Sequence, residues 1–233
     1  MPIPTDIRLL VFDLDGTLID SQRDLAFSIN AMLRHFHRPE QPERVIASYI
    51  GNGAAMLVRR ALGTPEPSAD GKTDAHDEAF VADALAVFIA AYDRHKLDTT
   101  TLYPGALESI AAIRAAHPRI QMAVLTNKPV RASRAICAHF GLDQYFFQIY
   151  GGNSFHTKKP DPQGLLALIA EAAVTPQQTV MIGDSDVDIL TARNAGACAI
   201  GCSFGLAPHT LAAAEPDLTV SRAADWPSAL GLT

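Results

Sequence analysis

Two aspartates spaced i, i+2, Asp13 and Asp15, follow the apolar run Leu9 to Phe12 and are followed at once by Gly16 and Thr17. A run of Leu, Val and Phe is covered on both faces in a parallel sheet. Residues at i and i+2 of a strand point the same way, so strand geometry carried on to Asp15 aims both carboxylates at one place. That place is the C-terminal end of the strand, where open α/β sheets hold their ligands. Two like charges held together are costly unless a cation or a reaction uses them. Asp13 and Asp15 are therefore the first candidates for chemistry.

Three further polar sites follow apolar runs or open helices: Thr126-Asn127-Lys128 after AVL, Lys158-Lys159-Pro160-Asp161-Pro162, and Gly183 to Asp188 (GDSDVD) after VMI. If the strands are parallel, all three share one sheet edge with Asp13 and Asp15. The site then holds Asp13, Asp15, Asp184 and either Asp186 or Asp188, with Thr126, Asn127 and Lys159. Carboxylates arriving from separate strands make an oxygen-rich cavity of the kind Mg²⁺ prefers. A hydroxyl, backbone amides and a lysine suit a phosphoryl group. Together they point to Mg²⁺-assisted phosphoryl transfer.

The elements that must position these residues come in two styles. From Ile19 to Asp98 no β-rich run occurs. Helices are expected over Ser21 to His37, from Pro42 to Ile50, over Ala55 to Leu62 and over Phe80 to Lys96, the first opened by a Ser21/Asp24 capping box. Gly63 to Glu78, rich in Pro, Gly, Ser and Asp, reads as a loop. From Tyr103 on, strands at Gln121–Thr126, Phe147–Tyr150, Thr179–Ile182, Cys198–Ile200 and Leu218–Val220 alternate with helices. That alternation predicts an α/β fold, a Rossmann-like doubly wound parallel sheet core to which Leu9–Phe12 also belongs. The all-helical block is then an insertion. The expected division is a discontinuous core of residues 1–19 and 99–233 and a helical domain of residues 20–98.

Composition bounds the rest. The chain has 233 residues, 48% hydrophobic and 19% charged, as expected of a soluble globular protein. A net charge of −6 argues against nucleic acid as a partner. No run reaches the length of a membrane span, and MPIPTDIR lacks the form of a signal peptide. Three scattered cysteines, Cys137, Cys198 and Cys202, fit a reducing compartment and a cytoplasmic location. Monomer and homodimer both stay open.

In order along the chain, Asp-x-Asp-Gly-Thr-Leu-x-Asp-Ser, Thr-Asn, Lys-Pro and Gly-Asp-Ser-x-x-Asp resemble the motifs of the haloacid dehalogenase-like hydrolase superfamily. The helical block resembles the cap domain of one branch. IGNGAAMLVRRAL, TLYPGALESI and GGNSFHTKKPDPQGLL look most like phosphoglycolate phosphatases within it. The resemblance implies a Mg²⁺-dependent phosphatase acting on a small phosphoester, 2-phosphoglycolate as best guess. Asp13 would be the nucleophile. Asp15 would serve as acid and base, lending the metal only its backbone oxygen. Asp13, Asp15, Asp184 and Asp188 would form the metal site. Thr126 and Lys159 would complete the catalytic set, and Gly16, Thr17, Asn127 and the cap's Arg60 would bind substrate.

Other fragments carry less. Asp13-x-Asp15-Gly16 has its glycine in the wrong place for an EF-hand loop. Gly71-Lys72-Thr73 resembles the end of a P-loop, but Glu66 stands where the first glycine is required. Gly51-Asn52-Gly53 reads as a flexible or substrate loop. Two alternative functions stay in view: a sugar-phosphate phosphatase or phosphomutase of the same fold, and a non-catalytic binding or regulatory protein.

Overall fold

The computed structural model describes residues 2–66 and 75–232. In chain order it comprises β1 (Leu9–Phe12), β2 (Ile19–Asp20), α1 (Gln22–His35), α2 (Glu43–Ala47), α3 (Ala54–Leu62), α4 (Ala75–His95), β3 (Thr101–Leu102), α5 (Ala106–Ala116), β4 (Gln121–Leu125), α6 (Val130–His139), β5 (Gln148–Tyr150), α7 (Gln163–Glu171), β6 (Thr179–Gly183), α8 (Asp186–Ala195), β7 (Cys198–Cys202), α9 (Leu211–Ala214), β8 (Leu218–Val220) and α10 (Trp226–Ala229), with short 3₁₀ turns between some of them. Two compact units emerge, Met1–Asp20 with Thr101–Thr233, and Ser21–Thr100.

In the first unit six strands form a parallel sheet in the order β5-β4-β1-β6-β7-β8. β1 is central, and all its residues are fully buried. Its alternation divides the core. Leu9 and Val11 join Leu125, Leu165, Leu168, Met181 and Ile189 in one cluster beneath α7 and α8. Phe12 packs against the Trp226 ring of α10 at 5.3 Å and the Phe146 ring at 6.0 Å. The register places Phe12 opposite Val124 on one side and Ile182 on the other. The residues just beyond these positions, Asp13, Thr126 and Asp184, thus leave the sheet at one level. Cys198 and Cys202 lie buried in β7.

The second unit is helical. α1 buries the stripe Leu25, Ile29, Met32 and Leu33 and packs on α2, α3 and α4. Three expectations change, one in the first unit and two in the helical one. β2 and β3 pair as a two-stranded antiparallel ribbon too short for periodicity to reveal, Ile19 opposite Leu102 and Asp20 opposite Thr101. Asp24 does not cap α1 from within a box with Ser21. Its carboxylate takes bonds from Thr99 and Thr100 instead, because long-range donors offer it more than the first turn can. α4 begins at Ala75, so the tail of the expected loop is helix, with Asp77 and Glu78 in the first turn where the helix dipole favours acids. Gly71-Lys72-Thr73 lies outside the described residues. No helix among the described residues is long and apolar enough to cross a membrane.

Candidate active site

β1 stops at Phe12, and the chain then turns. The Leu14 carbonyl accepts from the amides of Thr17, Leu18 and Ile19, and the Gly16 amide donates to Ile19. Gly16 makes this turn with φ of +89°, and a Cβ there would come within 2.2 Å of an Asp184 carboxylate oxygen. Both the backbone conformation and the space require glycine. Thr17 is fully buried, and its hydroxyl has no hydrogen-bond partner among the described residues.

The turn sends Asp13 and Asp15 to different lysines. The Lys159 Nζ lies 2.7 Å from Asp13 Oδ1 and 2.5 Å from Asp188 Oδ1. The Lys128 Nζ lies 2.8 and 2.9 Å from the two oxygens of Asp15. Both lysines are buried. Asp188, in the first turn of α8, accepts on Oδ2 from the Ser185 hydroxyl and amide. Asn127 donates its side-chain amide to the Lys159 carbonyl, and the Thr126 hydroxyl accepts from the Lys128 amide. Neighbouring strand ends are thus tied to one another through their polar side chains.

Asp13, Asp184 and Asp188 each offer a carboxylate oxygen, all within 4.8 Å of one another, and all three residues are buried. Asp186 is not in this cluster; its amide donates to Thr210 and it is only half-buried. Asp15 contributes no side-chain oxygen to it, being held by Lys128. Burial, opposed by Lys159 and assisted by the charges of Asp188 and Asp15, raises the Asp13 pKa from 3.8 to about 6. Burial, then Asp188 and Asp13, raises Asp184 well above the usual carboxylate range. Burial lowers Lys159, but the two aspartates outweigh it and the net shift is upward. Four carboxylates face two ammonium groups here. The surplus of two negative charges on oxygen-only donors is what a hard divalent cation neutralises. The cluster fits a metal ion.

Sequence reasoning missed two parts of this arrangement. Lys128 stood inside a recognised triplet, but nothing in its spacing linked it to Asp15. The loop after β7 was not singled out at all. There the amides of Leu206 and Ala207 donate to Asp184 Oδ2 at 2.7 and 2.9 Å. Gly205 lets that loop close in, since a Cβ on it would lie 2.2 Å from Asp184 and 2.3 Å from the Gly16 carbonyl. A glycine three residues past the end of β7, the strand beside the one that ends in the GDS turn, was the available signal. Arg60 lies in the helical unit. It binds Glu66 and Asn52 at 2.8 Å each and the Tyr49 carbonyl at 3.3 Å.

Known proteins similar to this chain cover most of its length. Residues 10–202 match the family model described as haloacid dehalogenase-like hydrolase. A phosphoglycolate phosphatase of Pseudomonas putida is 40% identical over 199 residues, covering 85% of this chain and 70% of that protein. One of Psychrobacter arcticus is 39% identical, covering 86% and 85%. A crystal structure of a predicted phosphoglycolate phosphatase from Haemophilus somnus superposes with a TM-score of 0.86 at 32% identity, covering 96% of this chain and 98% of that one.

Proposed function

The chain belongs to the haloacid dehalogenase-like hydrolase family, and on that footing we propose that it is a Mg²⁺-dependent phosphatase that hydrolyses 2-phosphoglycolate to glycolate and phosphate. The observation that carries the reading is the split of the two aspartates. Asp13 shares a lysine with the carboxylate cluster, and Asp15 stands apart on a lysine of its own. This separation supports giving one carboxylate to the phosphorus and the other to the proton.

Asp13 attacks phosphorus, forming the aspartyl-phosphate as the bond to the ester oxygen breaks. The departing alkoxide takes a proton from Asp15. Water then attacks the aspartyl-phosphate, gives its proton to Asp15, and returns Asp13 as a carboxylate with release of phosphate. Lys159 offsets the negative charge that accumulates on Asp13 and the phosphoryl oxygens. The Thr126 hydroxyl and the Asn127 amide hold the phosphoryl group; the amides of Gly16 and Thr17, expected to share this task, are spent within the turn on the carbonyls of Ile19 and Leu14. Asp13, Asp184, Asp188 and the Asp15 backbone carbonyl would hold Mg²⁺. Bound there, the ion supplies charge neutralisation and orientation of the phosphoryl oxygens.

The helical unit, Ser21–Thr100 where 20–98 was expected, is proposed as the cap. For Arg60 the proposal narrows to ordering the Gly51–Gly53 loop, which it grips through Asn52 and Tyr49. The test is phosphate release from 2-phosphoglycolate by the wild type and by Asp13→Asn with Mg²⁺ present. An Asn cannot form the acyl-phosphate, so kcat is expected to fall by about 10⁴-fold or more. Turnover by Asp13→Asn within tenfold of wild type sinks the mechanism.

A further inference from the structure

The mechanism leaves Lys128 without a task. It is a lysine only 5% exposed, held with both Asp15 oxygens in hydrogen-bond range, at the same sheet edge as Lys159. Its backbone is fixed on two sides: the amide donates to Thr126 and the carbonyl accepts from Gly152. Burying an ammonium group is costly, and the contacts to both Asp15 oxygens offset that cost here. The two lysines also divide the site. Lys159 lies between Asp13 and Asp188, while Lys128 lies against Asp15.

We infer that Lys128 recognises the carboxylate of the substrate and so sets specificity for phosphate esters that carry an acid next to the ester oxygen. The inference rests on the phosphatase reading above and deepens it. Asp15 must reach the ester oxygen to protonate it, and Lys128 lies one hydrogen bond behind Asp15. In 2-phosphoglycolate a single methylene separates the ester oxygen from the carboxylate. A carboxylate so placed falls within reach of the Lys128 ammonium, which presents three donors and needs no change of partner type to move from one carboxylate to the other. As Lys128 turns to the substrate, its bonds to Asp15 loosen, and an Asp15 oxygen is freed to face the leaving group. An ester with no carboxylate leaves Asp15 clamped. Recognition and proton transfer are thus coupled through one side chain, entirely within the core unit. The helical unit's Arg60 is already committed to Glu66 and Asn52.

The experiment compares kcat/KM for 2-phosphoglycolate with kcat/KM for its neutral carboxamide and for ethyl phosphate, in wild type, Lys128→Met and Lys128→Arg. Wild type is expected to prefer the carboxylate over either neutral ester by about a hundredfold, the size of one lost charge-assisted bond. Lys128→Met is expected to slow on 2-phosphoglycolate, to gain on the two neutral esters because Asp15 is no longer clamped, and so to lose that preference to within about fivefold, while Lys128→Arg regains part of it. A Lys128→Met enzyme that keeps the full ratio overturns the inference and leaves the phosphatase reading standing. A wild type that does not separate 2-phosphoglycolate from its carboxamide overturns it without any variant, which covers the case in which Lys128→Met fails to fold. If the wild type releases phosphate from none of the three, the phosphatase reading fails and this inference fails with it.

Discussion

Asp24 in the helical unit and Asp184 in the core are equally buried, each 2% exposed, and are provided for in opposite ways. Asp24 accepts five hydrogen bonds, from the amides and hydroxyls of Thr99 and Thr100. Burial raises its pKa, those bonds lower it further than burial raises it, and the net shift is downward. Asp184 accepts two amide bonds, both on Oδ2, and none on Oδ1 from the described residues. Its other close charges are the carboxylates of Asp188 and Asp13, and its pKa moves up. A carboxylate that serves the fold is satisfied by the fold. One that serves chemistry is left short of positive charge until something outside the chain supplies it.

The contrast predicts opposite signs for similar substitutions. Asp24→Ala removes the acceptor that gathers four donor groups of Thr99 and Thr100, and about 3 kcal/mol of stability is expected to go with it. Urea denaturation measures this, and a loss under 1 kcal/mol would mean that those bonds have good substitutes. Asp184→Asn keeps an acceptor for Leu206 and Ala207 but removes a buried charge that repels its neighbours. The metal-free protein is expected to gain about 1–2 kcal/mol from it. The same variant is expected to lose the rise in melting temperature that Mg²⁺ gives the wild type. A destabilised metal-free Asp184→Asn breaks the comparison.

Acid titration tests the same contrast without substitution. The Asp13 pKa is raised in the fold, from 3.8 to about 6. Its contribution to stability is therefore fully present below pH 3.8 and is lost as pH rises through about 6. Asp184 acts in the same direction. Asp24, whose pKa is lowered, contributes above its unfolded value and loses that contribution as pH falls through its folded one. The melting temperature of metal-free protein is expected to rise between pH 7 and pH 5 and to fall below pH 4. With saturating Mg²⁺ the cation stands in for the protons, and the rise disappears. A metal-free curve that falls steadily from pH 7 refutes the assignment of Asp13 and Asp184 as unsatisfied carboxylates.

How far the sequence displayed this contrast depends on the distance over which each residue finds its partner. Asp13 and Asp184 were legible because apolar strands deliver them to one edge, and strand runs can be read locally; Lys159 was legible from the Lys-Pro pair in the connection that opens α7. Gly16 was legible because it follows Asp15 directly. The parallel sheet and its helices followed from alternation alone. Asp24 was misread: Ser21 three residues before it gave a complete local pattern, while Thr99 and Thr100 lie more than seventy residues away. Lys128 and the Leu206–Ala207 amides were missed for the same reason. Their partners are fixed by how strands stack, and no spacing in the chain records it. Residue types alone left Asp186 and Asp188 open, because both fall in the first turn of α8, and only the family resemblance chose Asp188. Gly183 and the Ser185 bonds resolve it by drawing Asp188 in against the strand end.

Exposure is the variable that separates these buried carboxylates from the remaining charged pairs, and the Arg60–Glu66 pair isolates it. The two side chains are 26% and 55% exposed, with Nε and Oε1 2.8 Å apart. The bond length differs little from that of Lys128 to Asp15, so distance alone would rank the two pairs together. Water already solvates Glu66, however, and its attraction to Arg60 is screened. Glu66→Ala is expected to change stability by no more than about 0.5 kcal/mol. Arg60→Ala is expected to cost more, about 1 kcal/mol, because it also removes the bonds to Asn52 and the Tyr49 carbonyl that hold the Gly51–Gly53 loop. A double-mutant cycle between Arg60 and Glu66 separates the two contributions. A coupling energy above about 1 kcal/mol would show that an exposed pair can match a buried one here. Burial would then no longer be what divides the carboxylates of this chain into structural and chemical ones.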